Sequence, residues 1–159
     1  MKSLFFLITV ASCFSLSACG GNAHAESLFP ESEITLLHKI NYVASGTLTI
    51  KQSKVISSTV RYHSELLRYS GNNPTDINFS HNKVLLVDMG DRRSGGYFIS
   101  LDNTRLLVGD DTVTVTGVLT VSGNGCNVSF AATNPYAFYR IPTQKEVLIQ
   151  DKLVIKNCN

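Results

Sequence analysis

A mainly antiparallel β domain, built as a sandwich or partly open barrel with one short helix, is the fold class this sequence predicts. Three observations carry the prediction. Beyond residue 74 the chain breaks into short apolar or alternating runs separated by Gly, Asn, Asp and Pro clusters, which is the pattern of strands and turns. Thr, Ser, Val and Asn are plentiful, Trp is absent and Gly numbers 11, a balance suited to pleated surfaces rather than long helices. Only one window has both helical spacing and a clear stop. The 159 residues are 43% hydrophobic and 16% charged, which excludes a disordered acidic chain. Lys and Arg number 14 against 12 Asp and Glu, interspersed and without a basic stripe among aromatics, so nucleic acid is not an expected partner.

The first segment is for targeting. Lys2 precedes an apolar run over residues 4–10 that continues weakly to Phe14, followed by Leu16-Ser17-Ala18-Cys19 and Gly20. The run is shorter than the roughly 20 apolar residues of a membrane span and has the order of a signal peptide. Leu-Ser-Ala-Cys resembles the bacterial lipobox, so residues 1–18 are expected to be removed and Cys19 to carry lipid. A plain signal peptide cut after Ala23 or Ala25 is the alternative. Acyl chains contribute about 0.8 kcal/mol per buried CH₂, so the N-terminal lipid would be the membrane anchor. Gly20 in place of Asp favours the outer membrane by analogy with other lipoproteins, and the expected location is the bacterial cell envelope. Residues 19–33, small and polar around Pro30, read as a flexible tether with a typical span of ~20 Å. Residues 34–159 read as a single β-rich domain.

Loss of Cys13 with the signal and lipidation of Cys19 would leave Cys126 and Cys158 as the remaining thiols in an oxidising compartment, where a disulfide is the natural outcome. Two Cys so far apart, with no His close to either, lack metal-ligand spacing.

Within the domain, residues 34–43 and 47–51 are expected to be the first strands. Ser57 and Ser58 can cap a helix to about Tyr69, with Val60, His63 and Leu67 on one side and Tyr62, Leu66 and Tyr69 nearby, stopping at Ser70-Gly71-Asn72-Asn73-Pro74. Strands are then expected over 83–89, 96–101, 105–108, 112–121, 127–132, 137–141 and 146–155. The clearest is 112–121, where Val113, Val115, Leu119 and Val121 share one face and Thr112, Thr114, Thr116 and Thr120 the other. Val128, Phe130 and Ala132 repeat the alternation after Ser122-Gly123-Asn124-Gly125, which predicts a hairpin with 112–121.

No residue pattern advertises catalysis. There is no Gly-x-Ser-x-Gly elbow and no His-x-x-x-His pair; His24, His38, His63 and His81 are dispersed. Asp88, Asp91, Asp110 and Asp111 fall near turns, where Asp serves the turn itself. A noncatalytic chain without cofactor or metal is therefore expected. Two segments stand out: Arg92, Arg93, Ser94, Gly95, Gly96 and Tyr97 between two apolar runs, and Asn134, Pro135 and Tyr136 between two others. Structural turns are one reading and recognition loops the other.

The string Asn73-Pro74-Thr75-Asp76-Ile77-Asn78-Phe79-Ser80, the run 84–90, Ser94-Gly95-Gly96-Tyr97 and Thr133-Asn134-Pro135-Tyr136 to Ile141-Pro142 together resemble the C-terminal domain of the PrcB family of bacterial protease-complex proteins, over about residues 74–155. Arg93-Ser94 stands where that family more usually has Pro-Thr. The resemblance implies a secreted or lipidated noncatalytic protein that supports a protease. The expected function is thus an envelope lipoprotein acting as a protein-binding or accessory module, with a periplasmic or secreted protease or another envelope protein as partner. An inhibitor-like module and a structural lipoprotein without a dedicated ligand are the alternatives.

Overall fold

Residues 84–87 are apolar without alternation, and in the structure they form the middle of a strand with both faces covered. The structure is a computed structural model that describes residues 34–40, 50–70, 73–102 and 107–159. In chain order the elements are β1 (Thr35–Ile40), β2 (Gln52–Ile56), α1 (Thr59–Tyr69), β3 (Lys83–Asp88), β4 (Tyr97–Leu101), β5 (Leu107–Val108), β6 (Thr112–Ser122), β7 (Tyr136–Ile141) and β8 (Glu146–Lys156). One sheet has the order β1-β7-β3-β2 and is antiparallel throughout. The other is built on β6, which pairs antiparallel with β4 and β5 and parallel with β8. Because β8 occupies one edge of β6 from Thr112 to Ser122, β4 and β5 share the opposite edge. Neither sheet closes on itself, so the fold is a β-sandwich.

Alternation sorts the strands into two cores. Leu85, Val87, Met89, Ala137, Tyr139 and Ile141 of the first sheet meet Ile99, Val113, Val115, Leu119 and Val147 of the second. The intervening residues Val84, Leu86, Tyr136 and Phe138 face the other way and pack with Ile56 against Tyr62, Leu66 and Tyr69 of α1. Each such side chain contributes about 1.5–3 kcal/mol on burial. The molecule is therefore layered as helix, first sheet, second sheet.

Several expectations are corrected. The helix lies where its spacing predicts, but its buried face is Tyr62, Glu65, Leu66 and Tyr69; Val60 is 82% exposed and Leu67 is exposed as well. The two tyrosines offer more apolar area than Val60 and Leu67, and Lys54 and Arg68 neutralise Glu65 at 2.9 and 3.3 Å. Ser58 occupies the N-cap position without a side-chain cap bond. Residues 127–132 are not a strand and form no hairpin with β6, whose long partner is instead β8, in parallel. Of the strand expected at 47–51, Ile50 and Lys51 are not in a strand and β2 begins at Gln52; residues 47–49 lie outside the described set with the rest of 41–49, as do 105–106. Residues 1–33, with the expected signal peptide, Cys19 and the expected tether, lie outside it too. The Cys126–Cys158 disulfide is present, with Cα atoms 4.8 Å apart, and fastens the chain after β8 to the chain after β6.

Candidate protein-binding surface

The two unusual segments meet. Beyond the last β3–β7 pair, Asp88 with Tyr136, Met89 N donates to Pro135 O at 2.9 Å, and Arg92 and Thr133 exchange backbone bonds of 2.7 and 2.9 Å. Three residues, Met89 to Asp91, thus stand opposite two, Asn134 and Pro135. Gly90 takes up the excess with φ of 71°, a conformation that suits glycine. Thr133 Oγ1 then donates to Ser94 O at 2.9 Å, Gly95 N to Ser129 O at 2.8 Å, and Ser122 N to Gly96 O at 2.8 Å.

These bonds draw the backbone of 94–96 against 128–129 too closely for a side chain. A Cβ at Gly95 would lie 2.7 Å from Ser129 Oγ, and one at Gly96 would lie 2.5 Å from Val128 Cγ1 on a backbone with φ of 85°. The paired glycines are a packing requirement. Arg92 is also structural: its Nη2 donates to Met89 O, and its guanidinium lies over the Tyr97 ring at 5.4 Å.

Asn134, Pro135 and Tyr136 are buried, which corrects the expectation that this segment is a loop offered to a partner. Tyr136 OH donates to Tyr69 O at 3.0 Å, and His38 Nε2 lies 3.1 Å from the same hydroxyl. Burial, with Asp88 nearby, pushes the Tyr136 phenol up to about 12. Asp88 is another correction. Far from being a solvated turn residue it is fully buried, accepting from Tyr69 OH, from Gln52 Nε2 at 3.4 Å and from Gly90 N at 2.7 Å. Its hydrogen bonds leave it serving the fold, locking the end of α1 to the end of β3. Sequence reading missed this cluster because Asp88 and Gln52 come together only through the β2–β3 pairing and Tyr69 joins them only through the packing of α1 on the sheet.

What remains at the surface of this end is a different set. Arg93 extends into solvent, Tyr97 is half-buried, Phe98 is exposed, and Phe130 is 94% exposed on the segment that clamps Gly95. Tyr97 and Phe98 border a groove of about 230 Å³ with Asn127, Val128 and Ser129. Phe98 also borders a larger, mostly apolar groove of about 680 Å³ with Thr120, Val154, Cys126 and Cys158, on the outer face of the second sheet. The alternation Val128, Phe130 was the signal for Phe130, and it was spent on a strand. Among the described residues no His, Cys, Asp and Glu side chains gather in a group that could hold a metal, and no helix is long and apolar enough to cross a membrane.

Comparison with protein-family models, with curated proteins and with solved structures gives no match to this chain.

Proposed function

We propose that the chain is a noncatalytic protein-binding module of the bacterial cell envelope, lipidated at Cys19 and held at the outer membrane, that engages an envelope or secreted protein through Arg93, Tyr97, Phe98 and Phe130. The observation that carries this reading is Phe130, a large aromatic almost wholly in water that directly follows Ser129, whose carbonyl accepts from Gly95 N. Large apolar side chains kept exposed beside a groove and a free arginine are the ingredients of an interface anchor, for which aromatic and Arg residues are the favoured types. A matching partner presents an apolar pocket for Phe130 and a carboxylate for Arg93. The motif resemblance to the PrcB family makes a secreted protease the partner to try first.

The test is an activity assay on envelope proteases with the full chain present or deleted, paired with capture from the same membranes. Raised or stabilised protease activity supports an accessory role, and lowered activity makes the module an inhibitor. Absence of any specific partner would leave a structural lipoprotein. Acylation is checked separately: intact mass of the mature protein should show a blocked, lipid-bearing Cys19, and a free N-terminus at Glu26 would refute it.

A further inference from the structure

Strand β8 is the outermost strand of the second sheet, and half of its backbone is turned outward. Glu146 N donates to Asp111 O at 2.9 Å and Lys156 O accepts from Gly123 N at 2.8 Å, so the even-numbered residues address β6 and its continuations. Backbone groups alternate sides along a strand, which sends the N–H and C=O of Val147, Ile149, Asp151, Leu153 and Ile155 to the other edge. Among the described residues no strand pairs there. The edge has no Pro, and its register with β6 is unbroken from Glu146 to Lys156. Such an edge is a template for another strand.

The sequence of this edge is complementary to itself in reverse. About Asp151, Val147 stands opposite Ile155, Leu148 opposite Val154, Ile149 opposite Leu153 and Glu146 opposite Lys156. Only shifts of two residues keep matching faces together. Such a shift sets Ile149 against Asp151 and Glu146 against Val154 in one direction, and Asp151 against Leu153 and Leu148 against Lys156 in the other. The register centred on Asp151 is the one that matches apolar with apolar and cation with anion.

We propose that a second copy of this chain adds to the β8 edge, antiparallel, about a two-fold axis at Asp151, joining the two second sheets into one. The contact is isologous, so it closes as a dimer. The outward residues then form the hydrogen-bonded pairs 147 with 155, 149 with 153 and 151 with 151, with their symmetry mates. Leu153 and Ile155, 64% and 66% exposed in the single chain, come to lie beside Ile149 and Val147 of the second copy. The two carboxylates at the axis are each paired with a Lys51 of their own chain. The surface around Phe130 is not used, so the dimer would present two copies of it.

Sedimentation velocity on the full chain, processed in its host and kept in non-ionic detergent, tests this over a concentration series. The expected result is a concentration-dependent monomer–dimer equilibrium. Glu146→Lys and Lys156→Glu should each weaken the dimer about tenfold or more, and the double reversal should restore it. Leu153→Pro removes an outward N–H without touching the β6 ladder and should leave monomers with the unfolding midpoint of the parent. If that variant does not fold, the charge-reversal set decides alone. A monomer at every concentration, or a dimer that ignores both charge reversals, overturns the proposal.

Discussion

In the first sheet, β3 and β7 are buried on both faces, between the second sheet and α1, whereas among the described residues no element covers the outer face of the second sheet, which leaves Thr114, Thr120 and Lys152 half-buried and Phe98 and the edge of β8 exposed. Both sheets have four strands, but they divide the labour. The doubly covered sheet contains the large aromatics Tyr136 and Phe138 and the satisfied Asp88 cluster, so substitutions there strike the fold. The singly covered sheet and the 127–130 segment beside it carry Phe98, Phe130, Leu153, Ile155 and the two grooves at Phe98, so substitutions there should strike association while sparing stability.

The largest expected effect lies in the first sheet. Phe138→Ala opens a cavity between β7 and α1 and should cost about 3–5 kcal/mol in denaturant unfolding, against at most about 0.5 kcal/mol for Thr114→Ala on the open face of β6. Equal costs would break the comparison. Cys158→Ser frees the chain after β8 and should cost roughly 3–4 kcal/mol for a bridge of sequence separation 32, measured the same way under non-reducing conditions. Gly96→Ala should cost about 1–3 kcal/mol, because the methyl meets Val128 and the backbone is left-handed. A neutral result would remove the packing account of the paired glycines.

Alkali should attack the first sheet selectively. Burial pushes the phenols of Tyr136 and Tyr139 up to about 12 from an ordinary 10.0, so the folded state holds these protons more tightly than the unfolded state. Stability from keeping them neutral is complete below pH 10 and is lost as pH rises towards 12. Near-UV phenolate absorbance should therefore rise together with loss of β-sheet circular dichroism in that window. Acid should have a smaller effect. Burial lowers His38 below 6.5, so the unfolded state binds the proton more readily and stability falls as pH drops below 6.5. His38→Gln should flatten that limb of the thermal-stability profile.

The parts legible in the sequence were those set by local pattern. The Val/Thr alternation of β6 told its faces, the breaker string 70–74 ended α1, and two remaining thiols gave the bridge. Partner choice was not local. Thr112 to Ser122 carries the same alternation whether it pairs with the next segment or with β8, and here the chain crosses to the first sheet as β7 before returning in parallel. Residues 127–132 alternate like a strand, yet the Ser129 carbonyl and the Val128 and Ser129 side chains are spent on clamping Gly95 and Gly96. Asn134 to Tyr136 looked like a loop because Asn-Pro signals a turn, and it lies inside because β7 starts there.

The central claim, that stability is carried by the doubly covered first sheet and recognition by the exposed surface around Phe130 beside the second, is tested most directly by Phe130→Ala combined with Arg93→Ala in the full chain, measuring thermal unfolding and partner capture from the native membrane side by side. The account predicts unfolding within about 0.5 kcal/mol of the parent and capture reduced about tenfold or more. Unchanged capture, or a loss of capture matched by a loss of fold, would contradict it.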